Sequence, residues 1–239
     1  MKAVVLAGGK GTRLAPYTKI LPKPLMPIGD MPILEVILRQ MKSAGINEVT
    51  LAVGHLSELL HAFFNDGSKL GIEIHYSHED TPLGTAGPLS MIKGLDGTFF
   101  VTNGDVLTTM PIADLIRFHR SQKAAATIAV HARNVKIDFG VIEWVKEPII
   151  SGYIEKPNFH FMVSMGMYVF EPYVLDYIEP GKYLDFPDLI LKLLEANQKV
   201  AGYQFDGYWQ DLGRKDDYER ATEDFESMRS EFLGEECGR

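Results

Sequence analysis

Residues 2–27, KAVVLAGGKGTRLAPYTKILPKPLMP, contain the pattern from which the architecture of this chain can be worked out. The apolar run at residues 3–7 is short and continuous, which is typical of a strand buried on both faces. It leads directly into Gly8, Gly9 and Gly11. Because glycine has no Cβ, the backbone N–H groups of such a loop can turn inward around an anion. The pattern predicts a first strand followed by a phosphate-binding loop, with an ordinary tight turn as the alternative.

Further short apolar runs alternate with helical patterns through the first half of the chain. The strands predicted from these runs are residues 49–53, 72–76, 99–102 and 127–130. The clearest helix has Asp30 as its expected N-cap and Pro32 in its first turn. Its apolar stripe consists of Ile33, Leu34, Ile37, Leu38 and Met41. Repeated strand–helix–strand units predict an α/β fold, a Rossmann-like and mostly parallel central sheet flanked by helices.

The second half of the chain has shorter extended pieces, which predict a small β subregion beside the sheet. These pieces are residues 141–144, 149–154 and 165–170. A helix, a strand and a last helix are expected to follow at residues 186–197, at 200–205 and from about Arg214. We expect a single domain over residues 1–239, with two halves at about 1–135 and 136–213 and a C-terminal helix at 214–239. We expect no appended second domain.

The composition restricts the partners and the compartment. A net charge of −8 argues against nucleic acid, because nucleic-acid binding needs a basic face. The single cysteine, Cys237, argues against an intramolecular disulfide and favours a reducing cytoplasm. The first apolar run is too short for a signal peptide, and no later run approaches the length of a membrane span. We therefore expect a cytoplasmic protein with neither nucleic acid nor membrane as a partner.

Two basic residues follow the glycine loop, Arg13 and Lys23, with prolines stiffening the segment around them. Arginine offers a planar fork to phosphate oxygens, and lysine offers a compact, movable charge. Two solvated surface residues are the alternative. The whole string, residues 8–27, resembles the signature of the sugar-1-phosphate nucleotidyltransferase family. The resemblance implies that Arg13 and Lys23 are catalytic, and that a triphosphate is bound by Leu6, Ala7, Gly8, Gly9, Gly11, Thr12 and Arg13.

A second loop of small residues, DTPLGTAGP at residues 80–88, allows backbone to approach a flat ring closely. An ordinary turn at the start of a helix is the alternative. In the family that this sequence resembles, the LGTAG segment lies beside the nucleobase. The resemblance therefore implies that Glu79, Gly84 and Thr85 belong to the nucleotide site.

Two aspartates are candidates for a metal pair. Asn103, Gly104 and Asp105 come at the end of a predicted strand, and ligands of open α/β sheets collect at that edge. Asp211 comes far along the chain, before the last predicted helix. Each aspartate could instead close a turn or cap a helix. The resemblance implies that Asn103 and Gly104 contact the nucleotide and that Asp105 and Asp211 hold Mg²⁺, which usually takes one or two carboxylates plus phosphates.

Matches to the family continue on the sugar side. Phe139 precedes Gly140, and Glu155, Lys156 and Pro157 reproduce the family's EKP element. An adjacent glutamate and lysine is otherwise usually a solvated pair. The resemblance implies that the sugar phosphate is bound by Gly140, Glu155, Lys156, Ser164 and Gly166. Ser164 replaces the family's usual asparagine, and a hydroxyl has shorter reach and fewer donors, so the identity of the sugar is left open.

The expected reaction joins a nucleoside triphosphate to a sugar 1-phosphate, giving a nucleotide sugar and pyrophosphate. The motif at residues 83–89 is closest to that of mannose-1-phosphate guanylyltransferases, so GTP with a mannose- or heptose-type 1-phosphate is the preferred pair. Uridylyl or thymidylyl transfer to another hexose 1-phosphate is the alternative. A catalytically silent nucleotide-sugar-binding subunit is another, although it would not need all of Arg13, Lys23, Asp105 and Asp211. A dinucleotide-dependent oxidoreductase is disfavoured because the glycine loop lacks the third glycine of that fingerprint.

The expected C-terminal helix carries an apolar seam on an otherwise charged segment. The seam consists of Tyr218, Ala221, Phe225, Met228 and Phe232. Such a seam has to be buried, either against the core of the same chain, which we favour, or in a homodimer. Two heptads are too few for a secure coiled coil.

Overall fold

The computed structural model describes residues 1–79 and 81–234. In chain order the strands are β1 (Lys2–Ala7), β2 (Pro27–Ile28), β3 (Met31–Pro32), β4 (Glu48–Val53), β5 (Glu73–His78), β6 (Phe99–Asn103), β7 (Val106–Thr108), β8 (Ala126–Lys136), β9 (Val141–Lys146), β10 (Ile149–Ile154), β11 (Asn158–Phe170), β12 (Val200–Gln204) and β13 (Trp209–Asp211). The α-helices are α1 (Ile33–Ser43), α2 (Ser57–Phe64), α3 (Ile112–Gln122), α4 (Phe186–Glu195), α5 (Lys215–Ser227) and α6 (Arg229–Leu233). Short 3-10 helices occupy Thr12–Leu14, Tyr17–Lys19, Lys23–Leu25, Ser68–Leu70, Gly87–Met91 and Pro172–Tyr177.

The central sheet of the described residues has seven strands in the order β12-β8-β11-β6-β1-β4-β5. β6, β1, β4 and β5 are mutually parallel, and β11 runs antiparallel to both of its neighbours. The predicted α/β class with a mostly parallel sheet is therefore confirmed. From β1 the chain moves outward through β4 and β5, then returns to place β6 on the other side of β1. Because of this reversal, the switch point of the strand order lies between β1 and β6. Ligands of open α/β sheets usually bind at such a point.

Each face of the sheet is covered by its own apolar core. Because side chains alternate along a strand, Val5 of β1 enters one core and Val4 enters the other. Helices α1, α2 and α3 cover the first face, and α4 covers the second with Phe186, Leu189 and Leu193. The continuous apolar runs of β1, β4 and β6 are thus explained by burial on both faces.

The start of α1 differs from the prediction. Pro32, in an extended conformation, occupies the N-cap position, and the helix begins at Ile33, so Asp30 is not the cap. Asp30 instead forms an ion pair with Arg229, with an Oδ1–Nη1 distance of 2.7 Å. This contact joins the turn between β2 and β3 to α6. The predicted N-cap was wrong because Asp30 pairs with Arg229, nearly 200 residues away, and the local sequence does not indicate this partner.

β11 is longer than the predicted strand and belongs to two environments. Its second half, which pairs with β6, is buried in the central sheet. Its first half pairs with the end of β8 and is largely exposed. The β9–β10 hairpin lies between these two extended strands in the chain and exposes several large apolar side chains, among them Trp144, Val145 and Tyr153. The small β subregion is therefore a hairpin and a two-stranded ribbon continuous with the main sheet.

The C-terminal seam packs against its own chain, as favoured from the sequence. Ala221 and Phe225 are fully buried, Phe232 nearly so, and all three belong to the core on the α1 face. Tyr218 and Met228 pack against the same core. The helix is interrupted at Met228, so α5 and α6 are separate. Residues 235–239, including Cys237, lie outside the described residues.

No helix in residues 1–79 and 81–234 has both the length and the apolar composition that a bilayer span requires.

Candidate active site

The carboxyl ends of four parallel strands lie at one edge of the sheet and form the floor of an open cleft. Gly8, Gly54 and Glu79 directly follow β1, β4 and β5, and Asn103 ends β6. The cleft has a volume of about 900 Å³. Its lining consists of Leu6, Gly8, Gly9, Lys10, Gly54, His55, Glu79, Pro82, Gly84, Thr85, Asn103, Asp105, Tyr183 and Asp185. Most of the nucleotide-binding residues predicted from the sequence are therefore brought together here.

A smaller cavity of about 190 Å³ adjoins this cleft at the glycine loop. It is lined by Leu6, Ala7, Gly9, Gly11, Arg13, Lys23, Pro24, Gly104 and Asp105. Thr12 begins the 3-10 helix between Gly11 and Arg13 but lines neither cavity. Arg13 and Lys23 line this phosphate cavity together, so both cations could contact one anionic group of a ligand.

The glycine loop owes its shape to one glycine in particular. Gly11 has a φ of +58°, in the left-handed region that favours glycine. A Cβ at this position would also lie 2.9 Å from Thr18 Cγ2. Thr18 fixes the turn by donating its hydroxyl to the Gly11 carbonyl at 2.8 Å. A buried threonine from the following segment thus holds the loop in place.

Lys23 forms an ion pair with Asp105. The contact joins Nζ to Oδ2, and Lys23 is only 8% exposed. A buried ammonium needs a compensating carboxylate because removing a charge from water is costly. The predicted catalytic lysine and one predicted metal ligand are therefore direct neighbours.

A small two-stranded sheet positions the backbone of Asp211 next to that of Asp105. β13 pairs with β7 so that Asp211 lies opposite Val106, and the Leu212 N–H donates to the Asp105 carbonyl at 3.0 Å. The Asp211 carboxylate and the Arg13 guanidinium both flank Gly213, where a Cβ would lie 2.6 Å from Asp211 Oδ1 and 3.1 Å from Arg13 Nη2. Asp211 lines neither cavity, but the fold places it beside Arg13, which lines the smaller one.

These two carboxylates fit the limited needs of Mg²⁺. Within residues 1–79 and 81–234 no cluster of three or more potential metal-ligating side chains occurs. Such a cluster is not required, because Mg²⁺ keeps several waters and commonly takes one or two carboxylates together with substrate phosphates. Asp105 lines the phosphate cavity and Asp211 lies beside Arg13, which lines it too, so two hard oxygen donors of the kind that suit the ion are present.

Glu79 is a half-buried carboxyl group within the cleft. Burial raises its pKa above the ordinary value, and the hydrogen bond that Oε2 accepts from the Leu83 N–H, at 3.0 Å, acts in the opposite direction. Oε1 lies 3.0 Å from the position of a Cβ at Gly8. The carboxylate therefore lies between the glycine loop and the 82–85 loop, where it can accept hydrogen bonds from a ligand.

The small residues of the LGTAG segment have a packing role that the sequence did not reveal. Gly84 has a φ of +80°, and a Cβ there would lie 2.5 Å from the Leu184 carbonyl oxygen. At Gly87 a Cβ would lie 2.7 Å from the Lys182 carbonyl oxygen. The loop is thus pressed against the segment before α4, which itself supplies Tyr183 and Asp185 to the cleft.

The predicted sugar-phosphate residues lie along the β8–β11 ribbon and its hairpin, and none of them lines the two cavities. Glu155 and Lys156 are exposed, with 3.8 Å between Oε1 and Nζ. Glu155 accepts a hydrogen bond from the Tyr153 hydroxyl, which also packs on Gly140. Gly140, Tyr153 and Glu155 thus lie together, outside the cleft wall.

Ser164 and Gly166 lie at an irregularity in β11. The pairing with β8 shifts between Ser164 and Tyr168, and the Ser164 hydroxyl lies 3.0 Å from the Tyr168 hydroxyl. Gly166 has a φ of +75°, and a Cβ there would lie 2.6 Å from Asn103 Nδ2. This bulge brings β11 against Asn103 at the end of β6, and hence against the cleft.

Several cleft residues were not identified from the sequence. Gly54 and His55 could have been, because they follow a predicted parallel strand whose end must reach the same sheet edge. Lys10 lies within the predicted glycine loop. Tyr183 and Asp185 carry no such signal, since their segment reaches the cleft only through tertiary packing.

Comparison with protein families decides the relationship. A family profile described as nucleotidyl transferase matches residues 2–228. The chain belongs to the nucleotidyl transferase family. The resemblance drawn from the sequence motifs is therefore confirmed.

Individual members of the nucleotidyl transferase family are also similar along most of the chain. The mannose-1-phosphate guanylyltransferase catalytic subunit beta of Dictyostelium discoideum is 36% identical over 91% of this chain and 62% of its own length. The UTP–glucose-1-phosphate uridylyltransferase of Synechocystis is 34% identical over 92% of this chain and 62% of its own length. The chain thus spans somewhat less than two thirds of the length of these relatives.

Solved structures share the fold. A putative glucose-1-phosphate thymidylyltransferase from Bacillus anthracis superposes with a TM-score of 0.78 at 24% identity, covering 100% of this chain and 98% of that one. HddC from Yersinia pseudotuberculosis, complexed with GMP-PN, gives a TM-score of 0.69 at 21% identity, with 94% and 99% of the two chains covered. At these identities the similarity establishes the fold alone.

Proposed function

We propose that this nucleotidyl transferase transfers a nucleotidyl group from a nucleoside triphosphate to a sugar 1-phosphate, with GTP and a mannose- or heptose-type sugar as the preferred substrates. The main support is the convergence of Arg13, Lys23 and Asp105 around a glycine-lined phosphate cavity that opens onto a nucleotide-sized cleft. The similarity to guanylyltransferases and uridylyltransferases supports the same reaction class.

The reaction needs alignment and charge neutralisation rather than a covalent intermediate. An oxygen of the sugar 1-phosphate is already anionic, so it can bond to the α-phosphorus directly while the bond from that phosphorus to pyrophosphate breaks. Arg13 neutralises the leaving pyrophosphate, and Lys23 neutralises charge on the reacting phosphates. The ion pair with Asp105 holds the Lys23 ammonium at the phosphate cavity before substrate binds.

Mg²⁺ is the proposed cofactor, and Asp105 and Asp211 would hold it. Bound there, the ion would supply positive charge to the phosphate oxygens of both substrates. Sharing Asp105 between the metal and Lys23 would keep two positive groups beside the reacting phosphates.

Glu79 supports guanine as the base. A carboxylate only accepts hydrogen bonds, and guanine presents two adjacent donors, N1–H and N2–H, on its Watson–Crick edge. Uracil and thymine present one N–H between two carbonyl oxygens, which a carboxylate repels. The base would therefore place its edge on Glu79, with Gly84 and Thr85 nearby.

Glu79→Gln is expected to lower kcat/KM for GTP by roughly 10-fold or more, because a bidentate contact to a base is worth about 1–3 kcal/mol. The carboxylate is the form that accepts both guanine N–H groups, and burial raises its pKa. GTP affinity in the unmodified chain should therefore fall as the pH drops through this raised pKa, and the fall should begin at a higher pH than an exposed glutamate would cause.

The measurement is kcat/KM for GTP and UTP as a function of pH. Glu79→Gln should abolish the decrease in kcat/KM for GTP at low pH that is assigned to Glu79. It should lower kcat/KM for GTP more than kcat/KM for UTP. Glu73→Gln, an exposed change on β5, is the matched control. An unchanged GTP preference in Glu79→Gln would remove Glu79 from base selection.

The sugar site is proposed to involve Gly140, Glu155, Lys156, Ser164 and Gly166. Glu155 would accept sugar hydroxyls and Lys156 would hold the sugar phosphate. The Ser164 hydroxyl, already beside that of Tyr168, offers a short polar group where an asparagine would reach further.

The deciding assay mixes each of four nucleoside triphosphates with a panel of sugar 1-phosphates and Mg²⁺, and measures pyrophosphate. Pyrophosphate release that requires both substrates supports transferase activity. GTP with a mannose- or heptose-type 1-phosphate should give the highest rate of release. Nucleotide binding without pyrophosphate release under any combination would instead favour a regulatory nucleotide-sugar-binding subunit.

Three further predictions stay open. A cytoplasmic location and a division at about residues 135 and 213 are still expectations. A homodimer also stays a prediction, but it would need a surface other than the seam residues Ala221, Phe225 and Phe232, which the chain buries itself.

A further inference from the structure

Tyr183 and Asp185 lie in the segment between the Pro172–Tyr177 3-10 helix and α4. Both line the nucleotide-sized cleft together with Glu79, Pro82 and Gly84. Tyr183 is 63% exposed, so a large aromatic ring faces open space inside the cleft wall. Neither residue belongs to the phosphate, metal or sugar groups described above.

The segment is fastened to the 82–87 loop by backbone hydrogen bonds. The Ala86 and Gly87 N–H groups donate to the Leu184 carbonyl at 2.9 and 3.0 Å, and the Leu184 N–H donates to the Leu83 carbonyl at 2.9 Å. The two pieces of chain therefore form one unit, although about 100 residues separate them. Any group on this segment keeps a fixed position relative to the loop proposed to lie beside the nucleobase.

The Asp185 carboxylate is the centre of the side-chain contacts in this unit. Oδ1 accepts hydrogen bonds from the Thr85 N–H at 2.9 Å and the Thr85 hydroxyl at 3.1 Å, and Oδ2 accepts one from the Tyr183 hydroxyl at 2.7 Å. The Tyr183 hydrogen bond is also the main reason that the pKa of Asp185 lies below its ordinary value. The carboxylate thus joins the loop to the tyrosine.

Helix capping does not explain Asp185. It occupies the N-cap position of α4, yet its side chain makes no capping hydrogen bond. The Thr85 hydroxyl takes that role instead by accepting the Phe186 N–H at 2.8 Å. Asp185 therefore does not cap α4, as an aspartate at this position usually does. Its side chain holds Thr85 and Tyr183 at the cleft wall and can orient them.

We propose that Tyr183 provides a stacking surface for the nucleobase, and that Asp185 is a positioning residue which holds Tyr183 and the 82–87 loop in the binding arrangement. The inference rests on the proposed function, because it takes the ligand to be a nucleoside triphosphate. Stacking on an aromatic ring tolerates every base, since each has a π face. Tyr183 therefore supplies affinity, whereas the hydrogen bonds of Glu79 supply the choice of base.

The test is calorimetric titration of the full chain, with Mg²⁺ and without sugar phosphate, using GTP and inorganic tripolyphosphate. Tyr183→Ala should weaken GTP binding by on the order of 10-fold, within the range measured for stacking of a base on an aromatic side chain. It should leave tripolyphosphate binding unchanged, because that ligand has no base. Tyr183→Phe should weaken GTP binding less than Tyr183→Ala does, since it keeps the ring but loses the hydrogen bond through which Asp185 holds it. Tyr173→Ala, which removes an exposed tyrosine outside the cleft, is the control.

Asp185→Asn tests the positioning role. It should weaken GTP binding without weakening tripolyphosphate binding, and its effect combined with Tyr183→Ala should be less than additive, because both changes act through the same ring. Additive losses would remove Asp185 as the residue that holds Tyr183.

The outcomes separate this inference from the proposed function. If the unmodified chain binds GTP and Tyr183→Ala binds it equally well, or loses GTP and tripolyphosphate alike, the stacking role is wrong and the transferase proposal is unaffected. If the unmodified chain binds no nucleoside triphosphate, both are wrong.

Discussion

Lys23→Ala is expected to lower kcat/KM by on the order of 10² to 10³, the range found when one electrostatic donor is removed from a developing anion. Lys23 is buried, contacts Asp105 and lines the phosphate cavity together with Arg13. Its loss removes a positive charge from a site where, by the proposed mechanism, charge neutralisation is the main catalytic contribution. It also leaves the Asp105 carboxylate without its cation.

The measurement is steady-state kinetics for both substrates, with a thermal melt to show that the variant is folded. Lys23→Arg keeps the charge and should recover part of the loss, which a purely steric role would not allow. Lys19→Ala, at an exposed position of the 3-10 helix Tyr17–Lys19, should stay close to the unmodified rate. A change below about threefold in Lys23→Ala would show that Lys23 lies outside the reacting groups.

Asp211→Asn is expected to reduce turnover by on the order of 10² and to raise the Mg²⁺ concentration needed for half-maximal rate. The substitution keeps the size of the side chain but removes the charge of a proposed metal ligand. Asp211 is exposed at the end of β13, so the fold should tolerate the change. Asp206→Asn, in the exposed loop before β13, is the matched control.

Binding of Mn²⁺ to the chain in the presence of nucleotide, followed by electron paramagnetic resonance, gives a readout that does not depend on turnover. Weaker Mn²⁺ binding in Asp211→Asn, together with slower turnover, would support the metal pair. Near-normal rates at saturating Mg²⁺ with unchanged Mn²⁺ binding would exclude Asp211 from it.

Much of the fold could be predicted because its signals are local. The five predicted strands of the first half correspond to β1, β4, β5, β6 and β8. Most of them carry the apolar run that two-sided burial requires, whereas β5, at the sheet edge, alternates apolar with polar residues. The ends of those strands had to meet at one sheet edge, so the glycine loop and Asp105 could be assigned to a common cleft. The apolar seam of α5 and α6 likewise predicted its own burial against the chain.

Other features could not be predicted because they depend on contacts between distant segments. Asp30 has the sequence pattern of a helix cap, but Arg229 engages it from the far end of the chain. The glycines of the LGTAG segment suggest close approach to a ligand, yet at Gly84 and Gly87 the backbone of residues 182–184 already occupies the space a Cβ would need.

The sequence by itself determined the α/β architecture, the phosphate loop and the family, because strand periodicity and a contiguous motif are both encoded within short stretches. Only the tertiary structure decided that Lys23 faces Asp105, that Asp211 lies beside Arg13, and that Tyr183 and Asp185 enter the cleft wall. The physical reason is that hydrogen bonds and ion pairs between residues 82 to 199 positions apart depend on packing, and local sequence carries no record of which partners packing brings together.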